Sequence, residues 1–187
     1  MKARFAWTIL IAAACSLSAA QQAPDTSPHV PEMDKLVHAL AGGWSITEND
    51  EPSPQIPNGE TYQGKEVWSE QPGGGPVMEQ FHAQPASGDE YETAVFWWDG
   101  KAHKLRGLWC ARINDEGCNG FTAKWVGNKF VNDGVWEYGG KKRTWREVFE
   151  FPTPDSFVQK LYIGDPGAKQ KLVSTIHGAR MASKKKS

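Results

Sequence analysis

Long apolar runs, cysteine, one-sided charge and catalytic signatures are all scarce in this 187-residue chain. Only Phe5–Ala14 is close to continuously apolar, about half the length a helix needs to cross a bilayer. Acids and bases nearly balance at 22 and 21, which argues against non-specific nucleic-acid binding. There is no Gly-x-Ser-x-Gly elbow, no His-Glu-x-x-His and no Cys-His constellation. Gly73-Gly74-Gly75 lacks the Lys-Ser/Thr and the helix that a phosphate loop requires. No second Cys/His pair stands at ligand spacing from Cys110 and Cys118, so no metal site is expected. These absences leave no catalytic residue to name, and an enzyme is the less favoured reading.

The N-terminus carries an address. Lys2 and Arg4 precede the apolar stretch, and Ser18-Ala19-Ala20 is a small-residue cleavage site. Residues 1–20 read as a signal peptide, so the expected location is periplasmic or extracellular. A less favoured alternative is lipidation at Cys15, which follows Ala12-Ala13-Ala14 but lacks the usual leucine three residues before it. Once Lys2 and Arg4 leave, 167 residues remain, enough for one domain, with a net charge of about −3. Residues 21–30, rich in Pro, Ser and Gln, read as a disordered leader, 31–181 as the domain, and 182–187 as a basic, solvated tail.

What the chain has in abundance is tryptophan, nine in all, together with turn-punctuated β-branched and aromatic runs. From Tyr91 to Val126 three such runs are separated by Asp99-Gly100 and Asp115-Glu116-Gly117. The pattern repeats over Trp44–Glu48, Thr61–Glu70, Val77–Ala83, Glu90–Trp98, Lys104–Ile113, Phe121–Val126, Lys129–Tyr138, Lys142–Phe151, Ser156–Ile163 and Lys171–Arg180. Gly127-Asn128 and Gly139-Gly140 are two-residue hairpin turns. Before them, Met33, Leu36, Val37 and Leu40 form the apolar stripe of a short helix over Pro31–Leu40, which Gly42 is placed to stop. Asn49–Gly59 holds Pro52, Pro54 and Pro57 and is a long loop, a candidate lid. Ten strands joined by tight turns make an antiparallel meander, which curls and closes to remove its edges. The expected fold is all-β, an up-and-down barrel wide enough for a ligand cavity.

Cys110 and Cys118 flank the Asn114–Gly117 turn, and an even number of thiols in an exported domain favours a disulfide. A loop centred on Asn114 would pair them directly; a left-handed Gly117 would shift the register. Both remain open from sequence.

Gly42-x-Trp44, after a short helix and opening the first strand of an aromatic meander, resembles the start of lipocalin-like (calycin) barrels. With Trp145-Arg-Glu-Val-Phe, Ser156-Phe, Leu161-Tyr-Ile-Gly-Asp and Ser174-Thr-Ile-His177, the stretch Met33–Met181 is similar to an exported bacterial family of lipocalin-like domains of unknown function. The resemblance implies a ligand-holding barrel and no established activity. The ten-stranded, haem-binding nitrobindin group is a more distant likeness. Its ligating histidine lies in the last strand, where this chain has His177, and that likeness implies haem and nitrogen-oxide chemistry.

The expected function is non-covalent binding of a small hydrophobic or planar molecule, without cofactor, in a cavity lined by Trp44, Trp68, Trp97, Trp109, Trp125 and Trp136, with Arg146 and His177 as polar candidates. Trp97 and Trp98 must point to opposite faces. If Arg146 points inward it could hold an anionic group; outward, it makes a surface pair with Glu150. Glu147 and Glu150 lie on opposite faces and form no acid–base pair. His177 shares a face with Val173, Thr175 and Ala179, and without haem it is a structural residue. The alternatives are the haem protein and a ligand-free interaction module.

Overall fold

The computed structural model describes residues 30–111, 117–138 and 140–182. The signal segment 1–20 with Cys15, the leader before Val30, the turn residues 112–116, Gly139 and the tail from 183 lie outside the described residues.

The helix and the ten strands form where the periodicities place them. They are α1 Pro31–Leu40, β1 Gly42–Asp50, β2 Glu60–Glu70, β3 Val77–Ala83, β4 Glu90–Asp99, β5 Lys104–Ala111, β6 Cys118–Val126, β7 Lys129–Tyr138, β8 Lys141–Thr153, β9 Ser156–Gly164 and β10 Lys171–Arg180. Each strand pairs antiparallel with the next, and β10 pairs back onto β1 from Trp44 opposite Arg180 to Asp50 opposite Ser174. The sheet is thus a closed barrel with no free edge.

Closure makes strand alternation decisive, because one face of every strand enters the interior. The packing of large rings there depends on glycines opposite them. Gly107, Gly134 and Gly178 stand in register with Phe121, Trp145 and Phe157. A Cβ on Gly134 would sit 2.4 Å from the Trp145 indole, and one on Gly178 2.2 Å from the Phe157 ring. The rings therefore lie flat across their neighbours' backbone, where any side chain would displace them.

The Asp99-Gly100 turn has its own geometry. β4 and β5 are joined by the four residues 100–103. The left-handed residue is His103 at φ 50°, not Gly100. Asp99 organises this loop instead: its Oδ1 accepts from the Lys101 and Ala102 amides at 3.1 and 2.9 Å, while Oδ2 takes the Arg106 Nε at 2.7 Å. Cys110 and Cys118 are bonded and stand directly opposite each other, with Gly117 left-handed at φ 80°.

The helix closes one end. Pro31 occupies its first turn, and Met33, Leu36 and Leu40 are buried against the barrel floor. The Trp44 indole donates to the Leu40 carbonyl at 2.8 Å and meets Phe157 edge-on at 5.0 Å. Arg180, the last residue of β10, lies over the Trp44 ring at 4.2 Å and donates to the carbonyls of Ala41 (2.6 Å) and Ala39 (3.1 Å). On the opposite side Trp125 donates to the Glu32 carbonyl at 3.1 Å, and Lys35 lies 4.0 Å over its ring.

Arg180 therefore joins the last strand, the first strand and the helix. Arg180→Lys keeps the charge but loses the fork, and we expect it to cost about 2–3 kcal/mol in urea unfolding. A change below about 0.5 kcal/mol would mean that Arg180 does not latch the barrel end.

Candidate functional site

The interior is divided along the barrel axis. Near the helix it is apolar, with Trp44, Trp68, Phe130, Phe149 and Phe157 all essentially inaccessible. Towards the other end lies a cavity of about 560 Å3. Its wall includes Phe96, Phe121, Trp109, Trp136 and Trp145, and its cover is drawn from the 51–56 segment and the start of β10. Trp109 and Trp136 stack with centroids 5.5 Å apart, and Trp145 lies 6.5 Å from Trp109 and 5.3 Å from Phe121.

Carboxyl groups also line it, among apolar and neutral polar residues such as Phe81, Leu161, Ile176 and Gln159. Glu48, Glu79, Glu92 and Glu147 face the cavity from β1, β3, β4 and β8, with Asp50 and Glu90 nearer the mouth. Glu66 of β2 is fully buried just beneath. Neutral groups supply their hydrogen bonds. Ser174 Oγ donates to Glu48 at 2.6 Å, Trp68 Nε1 to Glu66 at 3.0 Å, and Trp109 Nε1 to Glu92 at 2.8 Å. Glu147 is bracketed by Asn132 Nδ2 at 2.9 Å and Gln159 Nε2 at 2.8 Å. Among the described residues none of Glu48, Glu66, Glu79, Glu92 and Glu147 takes part in an ion pair.

Burial without a cation pushes these carboxyls towards the protonated form. Desolvation raises Glu48 to about 7, against the pull of the Ser174 bond, and Glu66 to about 8, against that of Trp68. Glu79 is driven well up by burial and then by Glu66, Glu147 and Glu92; Glu92 is also driven well up, and Glu147 is raised, both chiefly by burial. Tyr62 beside Glu48 is held far above its ordinary range for the same reason.

Of the residues expected at the site, Trp109 and Trp136 line the cavity. Trp44, Trp68 and Trp125 point inward but belong to the layers at the closed end, where Leu40, Glu66 and Glu32 take their N–H groups. Trp97 lies on the outer face, since Phe96 and Trp98 hold the inward parity of β4. Arg146 is also outside, donating through Nε to Asp133 of β7 at 2.7 Å; Glu150 pairs instead with Lys129 at 2.5 Å. His177 is exposed on the outer face of β10, between the inward Ile176 and Gly178, so it cannot reach a group inside the barrel. Sequence reasoning missed Trp145 as a cavity residue and all the interior glutamates. The signal was present: Glu48, Glu66, Glu79, Glu92 and Glu147 each sit two residues from an apolar or aromatic residue of inward parity. Among the described residues no three acidic, histidine or cysteine groups are close enough to share one metal ion.

A carboxyl that holds its proton more tightly when folded stabilises the protein below its unfolded value and loses that contribution as pH rises through its folded value. Resistance to urea should therefore fall as pH rises from about 4.5 to about 8, with Glu48 alone accounting for on the order of 3 kcal/mol. Glu48→Gln and Glu66→Gln should each flatten the decline. A denaturation midpoint that holds steady across this range would show that the interior acids are ionised and hydrated.

No family model matches the chain, and no curated protein matches it. Solved structures do. The barrel is similar to Rv2717c from M. tuberculosis, with a TM-score of 0.58 at 12% identity over 82% of this chain and 99% of that one. It is also similar to the S-type phycobiliprotein lyase CPES from Guillardia theta, with a TM-score of 0.54 at 13% identity over 82% of this chain and 94% of that one. At such identities the likeness is one of fold: a closed ten-stranded antiparallel barrel.

Proposed function

We propose that this protein is an exported binder of a small, largely apolar or planar molecule, held without covalent attachment in the barrel cavity. The observation that carries the reading is the cavity itself: about 560 Å3 walled by three indoles and three phenyl rings. Such a space gives a flat ligand apolar area to cover and rings to stack on, and transfer of its surface out of water supplies the driving force. Among the described residues the indole N–H groups of Trp136 and Trp145 meet no hydrogen-bond acceptor, so the wall also offers directional contacts.

Glu51–Ile56 is suited to act as a lid. Glu51 N–H donates to Val173 of β10 at 2.9 Å, and Ser53 and Ile56 bond to each other through amide, carbonyl and hydroxyl. Of these bonds the one from Glu51 reaches the barrel wall, and the others lie within the loop. Export rests on the signal pattern of residues 1–20 and is supported by the Cys110–Cys118 disulfide, a bond that persists in oxidising compartments. The exported lipocalin-like family named for Met33–Met181 fits the same reading.

The neutral probe N-phenyl-1-naphthylamine tests it. Trp109→Ala and Trp136→Ala should weaken probe binding by about tenfold or more, since removal of a stacking ring costs on the order of 1 kcal/mol or above. Both should cost less stability than Trp68→Ala, a core truncation worth about 3–5 kcal/mol. Probe affinity unchanged in both cavity variants would remove the ligand site from these rings.

A further inference from the structure

The ligand reading leaves the charge of the ligand open, and the acidic lining bears on it. We propose that the cavity is built for an organic cation: a molecule whose flat apolar body stacks on the indoles while a protonated or quaternary nitrogen sits among Glu79, Glu92 and Glu147. This inference rests on the binding function proposed above.

Three observations converge. First, these three carboxyls open onto the same space as Trp109, Trp136 and Trp145. Second, Glu79 has only charges of its own sign for electrostatic neighbours, namely Glu66, Glu147 and Glu92. Where other barrel carboxylates meet Lys or Arg, they do so on the outer surface, as Asp133 with Arg146 and Glu150 with Lys129 do. The chain thus pairs its acids outside and leaves them without a counter-charge inside; Lys171, at the exposed rim, is the cation that touches the cavity lining. Third, polar atoms deep in the wall have no hydrogen-bond partner among the described residues. Gln159 is 7% exposed and Trp145 5% exposed, yet Gln159 Oε1 and Trp145 Nε1 are unbonded. A buried acceptor and donor left unmade each carry a desolvation cost that a ligand would offset.

A cation suits this environment twice over. It supplies the missing counter-charge in a space of low dielectric, where charged hydrogen bonds exceed neutral ones. It is also drawn to the faces of indole rings, the strongest of the aromatic partners for a positive charge. A bare metal ion does not fit as well, because among the described residues no three ligating groups converge on one point. A cation draws these carboxyls into their ionised form and pairs with them, whereas an anion finds no counter-charge there, since Arg146 lies outside.

The test uses three probes of matched skeleton on the mature, disulfide-bonded protein: N-methylacridinium as a permanent cation, 9-methylanthracene as its neutral counterpart and anthracene-9-carboxylate as the anion. Calorimetric or fluorescence titration should give the cation about tenfold or greater preference over the neutral ring and no measurable binding of the anion. Glu79→Gln should weaken the cation by about tenfold and 9-methylanthracene far less. Equal affinity for the cation and the neutral ring would overturn the proposal while leaving a hydrophobic binder intact. Failure of all three probes, together with failure of N-phenyl-1-naphthylamine, would remove the binding function as well. The probe comparison on unaltered protein stands even where a variant does not fold.

Discussion

Closing a sheet onto itself obliges ten strands to hide one face each, and the placement of charge on those hidden faces governs the rest of this structure. Five strands carry a glutamate inward: β1, β2, β3, β4 and β8. A carboxylate taken out of water without a cation is costly, so each must hold a proton, find donors or border solvent. The fold uses all three. Glu66, the deepest, is pushed furthest from water and takes one indole N–H. Glu147 receives two amides. Glu48 and Glu79 border the cavity. The acidic layer accordingly lies on the mouth side of the aromatic floor, and the cavity begins where the glutamates do.

The two ends of the barrel are built for different tasks. At the helix end, Trp44, Leu40 and Arg180 bring together the beginning and end of the domain, and the 140-residue loop they close is fastened by hydrogen bonds to backbone carbonyls. Such a tie fastens the end of the β1–β10 ladder. At the mouth, the covering 51–59 segment is held by three backbone hydrogen bonds and one to Ser53 Oγ, and Gly59 is left-handed where a Cβ would meet the Asp50 carbonyl at 2.5 Å. Local opening is far easier where contacts are sparse, so access to the cavity belongs to this end.

The outer surface answers the same electrostatic problem in the opposite way. Asp133 and Arg146 face each other directly across β7 and β8, and Glu150 sits between Lys129 and Lys160. These solvated pairs add little stability individually. Their absence from the interior is the more informative fact, because an inward Arg146 would have neutralised Glu147's surroundings and produced a different cavity.

Much of this was legible in the residues themselves. Period-two runs, Gly127-Asn128 and the Met33–Leu40 stripe determine ten strands and one helix, since backbone geometry responds to neighbours a few positions away. Alternation also determines that Trp145 and Glu147 share a face, and that Trp97 and Trp98 do not. Which of the two faces is inside is a property of closure, and only the paired barrel decided it: it turned Trp97, Arg146 and His177 outward and Glu79, Glu92 and Glu147 inward. The same holds for the interior of the β4–β5 turn, where Asp99 bonds to Lys101, Ala102 and Arg106. The sequence by itself determined the strands, the helix and the sets of residues that travel together; the tertiary structure alone decided which sets meet across the cavity, because that depends on contacts between strands far apart in the chain, and no local propensity encodes them.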